Sequence, residues 1–92
     1  MGVTTAPITA TVRVRYFAGA RAAAGRDEET VQLSADATVQ NLVDELVGRH
    51  GAALTKVLTA CSFLLDGVAV RDTSIALPDG SGVDVLPPFA GG

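Results

Sequence analysis

The sequence closes on Phe89-Ala90-Gly91-Gly92, which makes its most promising reactive group a carboxylate carried by two glycines. A terminal glycine carboxylate has no Cβ beside it, so it is one of the few main-chain groups a protein can offer as a reagent. The glycines follow the apolar stretch Val83-Asp84-Val85-Leu86 and then Pro87-Pro88. A tag or frayed end more often follows a polar linker than a stiff spacer rooted in a core strand. Pro87 and Pro88 fix φ and favour an extended backbone, which lowers the entropy lost if the tail enters a channel. Gly91 and Gly92 are thin enough to thread one. Phe89 has two readings of similar weight, an apolar anchor into a partner or a ring packed back onto the sheet.

No other residue is placed as a general acid or base. Cys61 lies among Leu58, Ala60, Phe63 and Leu64, which favours a small buried apolar residue over a persulfide relay. His50 follows Arg49 at a helix end, where a positive group suits the dipole, and is expected at the surface. Arg21 divides evenly between a tail-orienting or interface cation and a solvated helix residue. Arg13 and Arg15 read as the wet face of a strand, with contact to an acidic partner patch as the lesser reading. Phe17 is expected in the core. Asp27-Glu28-Glu29 reads as a solubilising turn, since adjacent carboxylates alone cannot converge on a metal ion. No metal site and no bound cofactor are expected.

Composition narrows the function further. Ninety-two residues make one domain with a thin core, so function is expected at a surface, an end or a shared interface. A net charge of −3 argues against nucleic acid. The hydrophobic share of 48% excludes an acidic disordered segment. One cysteine and one histidine cannot build a disulfide framework or a zinc site. No apolar run reaches the ~18 residues of a membrane span. The opening Met1-Gly2-Val3-Thr4-Thr5-Ala6 matches neither a signal peptide nor a myristoylation pattern. The expectation is a soluble, unanchored, cytoplasmic protein.

The elements that must position the tail follow from periodicity. Residues 1–8 are a flexible lead. Thr9 to Phe17 alternates, with Ala10, Val12, Val14 and Tyr16 on one face, the period of a half-buried strand. Ala18 to Ala24 favours a short helix stopped by Gly25. Glu28 to Leu33 is a second strand, with Val31 and Leu33 inward. Thr38 is a good N-cap for the main helix, whose apolar face is Val39, Leu42, Val43, Leu46 and Val47. Ala52 to Ala60 is a candidate further helix. Ser62–Leu65 and Val68–Val70 flank Asp66-Gly67, a hairpin signal. Residues 73–77 are ambiguous, and a turn at 78–82 leads into the last strand. This order predicts an α+β domain at 9–86, with one mixed sheet curled over a main helix, followed by a reactive tail at 87–92.

These features resemble the ubiquitin-like β-grasp fold and, within it, the sulfur-carrier family, in particular the small subunits of molybdopterin synthase. The residues that carry the resemblance are Tyr16-Phe17-Ala18 with Arg21 and Gly25, Asp36-Ala37-Thr38-Val39 with Leu42, and Leu86-Pro87-Pro88-Phe89-Ala90-Gly91-Gly92. Ala22 departs from the pattern, which often has an acidic residue there. The resemblance implies a carrier whose Gly92 carboxylate is adenylated by a ubiquitin-activating-type enzyme using ATP and converted to a thiocarboxylate. Sulfur then passes to a pterin precursor in the active site of the molybdopterin synthase large subunit, two of each subunit forming a heterotetramer. Pro87, Pro88, Phe89, Ala90, Gly91 and Arg21 are the implied partner contacts. The chain itself is then a non-catalytic subunit.

The same tail admits carriers for thiamine thiazole or cysteine synthesis. It also admits a ubiquitin-like modifier joined to lysines, or a binding module with an incidental Gly-Gly end.

Overall fold

The computed structural model describes residues 9–88. Its elements are β1 (Thr9–Tyr16), α1 (Ala18–Ala24), β2 (Glu28–Ser34), α2 (Val39–His50), α3 (Ala52–Leu58), β3 (Ser62–Leu65), β4 (Val68–Ala69) and β5 (Gly82–Leu86). The five strands form one mixed sheet in the order β2-β1-β5-β3-β4. β1 runs antiparallel to β2 and parallel to β5, and β3 runs antiparallel to both β5 and β4.

Alternation decides which face each strand buries. Ala10, Val12, Val14 and Tyr16 of β1 are buried, as are Val83 and Val85 of β5. Except for Ala10, they meet Val39, Leu42 and Leu46 of α2, Leu54 and Leu58 of α3, and Val31 of β2 in a single core. Arg13 and Arg15 face out from β1, and Asp84 stands beside Arg15 on β5. The expected apolar face of the main helix is therefore the one used, with Val43 and Val47 half-buried at its flank.

The helix ends follow the sequence closely. The Thr38 side chain accepts from the Asn41 N–H at 3.2 Å, and Asn41 Oδ1 accepts from the Thr38 N–H at 2.9 Å, a reciprocal capping box. Two further orphan N–H groups of α2 are satisfied from elsewhere. Val39 donates to the Ile75 carbonyl and Gln40 to the Thr73 carbonyl. This settles the ambiguous stretch 73–77. It is a strap across the start of α2 with an isolated bridge from Thr38 to Ala76, not a strand of the sheet. Gly25 closes α1 at φ 77°, the left-handed conformation that favours glycine. Asp66 and Gly67 both have positive φ, 48° and 86°, which matches the hand of a tight hairpin turn.

Two aspartates tie down the beginning of β5. Asp79 Oδ1 accepts from the Thr11 N–H at 2.7 Å, and Asp66 Oδ1 accepts from the Gly82 N–H at 2.8 Å. Between them, Ser81 is buried with its hydroxyl unpartnered among the described residues. A buried hydroxyl without a partner gains nothing from being polar. Ser81→Ala is therefore expected to leave stability unchanged or raise it by up to about 1 kcal/mol. Thr38→Ala, which opens the capping box, is expected to cost about 1 kcal/mol. Urea denaturation of the two variants checks both signs.

Candidate functional site

The main chain leaves the sheet at the end of β5, held on both sides. Val85 pairs with Tyr16 of β1 and Phe63 of β3, and Leu86 pairs with Ser62. The Phe17 N–H donates to the Val85 carbonyl at 3.2 Å, so the last rung of the β1–β5 ladder lies just before the tail. Pro87 is buried and Pro88 exposed. Phe89, Ala90, Gly91 and Gly92 lie outside the described residues.

Side chains fix this root from the open face. Arg15 grips Asp84 with two parallel bonds, Nε to Oδ1 at 2.8 Å and Nη2 to Oδ2 at 3.1 Å. That fork geometry is what distinguishes a guanidinium from an ammonium. The hydrogen bond to Asp84, followed by the charge of that carboxylate, raises the Arg15 pKa still further. The same guanidinium lies 5.6 Å from the centre of the Phe17 ring. Arg15 is thus a paired residue at the tail root as well as part of a wet face.

Phe17 corrects the sequence reading. It is 37% exposed and not part of the core. The reason is the strand period itself. Tyr16 points inward, so Phe17 must leave the core face, and it does so in an extended conformation as the N-cap of α1. An aromatic ring beside the tail exit, braced by Arg15, is a preorganised contact.

The inner side of the root rests on a cluster that sequence reasoning missed. Glu29 was expected in a solubilising turn but lies on β2 with its side chain only 5% exposed. Its Oε2 accepts from the Tyr16 hydroxyl and from His50 Nε2, each at 2.5 Å, and its Oε1 accepts from Arg49 Nη1 at 3.2 Å. Arg26 adds a longer ionic contact at 3.8 Å. His50 is accordingly not a surface residue. Its side chain is 13% exposed and its ring meets Tyr16 edge-on, with centroids 6.0 Å apart. The signals were present in the sequence. Glu29 shares the period of Val31 and Leu33, and His50 stands four residues after Leu46 on the buried face.

Burial opposes ionisation of Glu29, but the hydrogen bonds from Tyr16 and His50, helped by His50 and Arg49, outweigh it and hold the carboxyl below its usual range. Burial, then the Glu29 hydrogen bond, pushes the Tyr16 phenol well above its ordinary range, so it stays protonated and donates.

Other candidates separate cleanly. Cys61 is half-buried, donates to the Val57 carbonyl at 3.2 Å, and has its thiol pushed up by burial. A thiol so placed is a weak nucleophile. Arg21 is exposed on α1 with an ionic contact to Asp27 at 3.7 Å, a pair that adds little in water. A concavity of about 490 Å³ forms a polar groove on the open face between Thr11, Arg13, Thr30, Asp66 and Gly82. It contains no nucleophile paired with a base. Among the described residues, no three His, Cys, Asp or Glu side chains converge for a metal, and no helix is long and apolar enough to cross a membrane.

A mixed sheet curled over one main helix, with its last strand central and parallel to its first, is the ubiquitin-like β-grasp architecture. Within that class the chain belongs to the ThiS family, whose model matches residues 14–92. It is 37% identical over 82 residues to the molybdopterin synthase sulfur carrier subunit of Chlamydomonas reinhardtii, covering 88% of this chain and 98% of that one. Among solved structures it is similar to the HVO 2177 protein of Haloferax volcanii, with TM-score 0.82, 28% identity, and 99% and 94% of the two chains covered. The small archaeal modifier protein SAMP1 of Haloferax volcanii is similar with TM-score 0.77 and 29% identity, covering 89% of this chain and 99% of that one.

The Glu29 cluster predicts an acid response of definite sign. A carboxyl held low in the folded state stabilises the fold above its unfolded pKa of about 4.3, and that stability is lost as pH falls through the folded value. Glu29→Gln is expected to lower stability at pH 7 by about 1–3 kcal/mol. It should also flatten the loss of stability below about pH 4.3. Denaturation midpoints from pH 7 to pH 2 measure both effects.

Proposed function

We propose that this chain is the sulfur-carrier subunit of a molybdopterin synthase and that the Gly92 carboxylate is the atom group that carries the sulfur. The observation that carries the reading is the Gly91-Gly92 end, which follows the central strand of a ThiS-family domain after four intervening residues. Identity of 37% to a molybdopterin synthase sulfur carrier subunit over nearly its whole length supports the choice of pathway.

The chemistry is forced by what a carboxylate lacks. Its charge repels nucleophiles and its oxygen is a poor leaving group. A ubiquitin-activating-type enzyme uses ATP to form an acyl-adenylate at Gly92 and releases pyrophosphate. Sulfide attacks the acyl carbon, the C–S bond forms as the C–O bond to AMP breaks, AMP leaves, and loss of the sulfur's proton gives a thiocarboxylate. That soft, anionic sulfur attacks a carbon of a pterin precursor held by the synthase large subunit. A C–S bond forms as a C–O bond of the precursor breaks and its oxygen leaves. Hydrolysis of the resulting acyl intermediate returns the carboxylate. Two such deliveries make the dithiolene of molybdopterin.

The domain's part is to bind and aim. The large subunit supplies the acids and bases, since no described side chain here is placed to act as one at the tail root. In this reading Phe89 to Gly91, beyond the exposed Pro88, enter the partner, and the face beside the exit docks against it. That face offers Phe17 with outward Leu86 and Leu64 on neighbouring strands. Arg21, exposed on α1, is the further contact this reading assigns to the partner. Two carriers and a dimer of large subunits make the expected heterotetramer.

The likeness to SAMP1 favours one second reading, a modifier joined to lysines through Gly92. The two readings part after activation, when either sulfide or an amine attacks the adenylate.

Incubation with the activating enzyme, ATP and a sulfur donor, followed by intact-mass measurement, tests the assignment. One oxygen replaced by one sulfur at Gly92 is the expected product, and deletion of Gly91 and Gly92 should abolish it. Isopeptide-linked products with no sulfur gain would support the modifier. Phe17→Ala is expected to weaken binding of the large subunit about tenfold or more. Arg13→Ala, two residues further from the exit along the same face, should change it little in a titration.

A further inference from the structure

The buried polar cluster is larger than the fold requires. A carboxylate taken out of water costs several kcal/mol unless fully satisfied, and apolar residues of similar size would often serve stability as well. Here one carboxylate draws in donors from three elements: Tyr16 of β1, Arg49 and His50 of α2, and Arg26 from the turn before β2. All the charged or titratable groups facing it are accounted for in that set, with Glu45 behind Arg49 at 3.0 Å.

Its location gives it a use. Tyr16 is the last residue of β1, and its register partner is Val85, one residue before Leu86. Its own N–H donates to the Asp27 carbonyl at 2.8 Å, and the next N–H, that of Phe17, makes the final bond to Val85. The Tyr16 hydroxyl is therefore tied to the carboxylate while its main chain forms the wall of the tail exit. Because Glu29 is ionised and acts only as acceptor, His50 Nε2 carries its hydrogen, which fixes the ring's orientation against Tyr16.

We propose that the Tyr16–Glu29–His50 chain is a positioning device that clamps the end of β1 to α2 and thereby fixes the direction in which Phe17 and the tail leave the domain. Glu29 and His50 touch no reacting atom and act through Tyr16. The consequence for partner binding rests on the sulfur-carrier reading above, whereas the consequence for the tail root does not.

Amide hydrogen exchange on Tyr16→Phe, which removes one oxygen and keeps the ring, separates positioning from general stability. Exchange at the Phe17 and Tyr16 amides is expected to quicken about tenfold more than at the Leu42 amide in the main helix. Leu33→Ala, at the far end of β2, should change all three in proportion. Glu29→Gln should reproduce the local pattern, so the test survives poor folding of either variant. In titrations with a synthase large subunit, Tyr16→Phe should weaken binding several-fold and Leu33→Ala should not. Exchange that rises uniformly in Tyr16→Phe, or does not rise at Phe17, overturns the proposal. A wild-type chain that ignores the large subunit would sink the carrier reading instead, and the exchange pattern would still decide the positioning claim.

Discussion

The parallel pairing of β1 with β5 is the constraint on which the rest depends. It joins the two strands furthest apart in sequence at the centre of the sheet, with Val14 beside Val83 and Tyr16 beside Val85. Parallel neighbours need a long crossover, and nearly everything between them, the main helix included, belongs to that crossover. The pairing also sends both strands out at the same end. The chain therefore brings Phe17, the start of α1 and the exit of the tail to one place.

A small domain gains from this economy. With a core of some thirteen buried apolar residues, it has no room to enclose a substrate. It can hold one extended segment firmly at its base. The bidentate Arg15–Asp84 pair ties β1 to β5 on the open face, and the Glu29 cluster ties the end of β1 to β2 and α2 on the core face. Rigid support at the root is what a group-carrying tail needs, because order already present there does not have to be created on docking.

How much of this was legible depended on the distance between cause and effect in the sequence. Strand alternation from Ala10 to Tyr16, the Thr38 cap, the helical face of Leu42 and Leu46, and the Asp66-Gly67 turn are local, and each appears as its residues implied. Residues 73–77 were ambiguous because their main-chain partners are the first N–H groups of α2, more than thirty residues earlier. Glu29 and His50 were misplaced because polarity was weighed above period. Each sits on a buried face, and the penalty for burying one is removed by the other. Phe17 was misplaced for the opposite reason, apolarity weighed above period. The tail's importance came from its sequence and family resemblance, while the bracing of its root needed three-dimensional neighbours.

The central claim is that Gly92 carries sulfur and the domain aims it. Its most direct test is single-turnover mixing of the thiocarboxylated chain with a synthase large subunit and the pterin precursor. The mass of the carrier and the appearance of dithiolene would be followed together. The account predicts that Gly92 returns to a carboxylate in step with sulfur gained by the pterin, two carriers consumed per product. Sulfur that stays on Gly92 while product forms, or a carrier that ends joined to lysine, would contradict it.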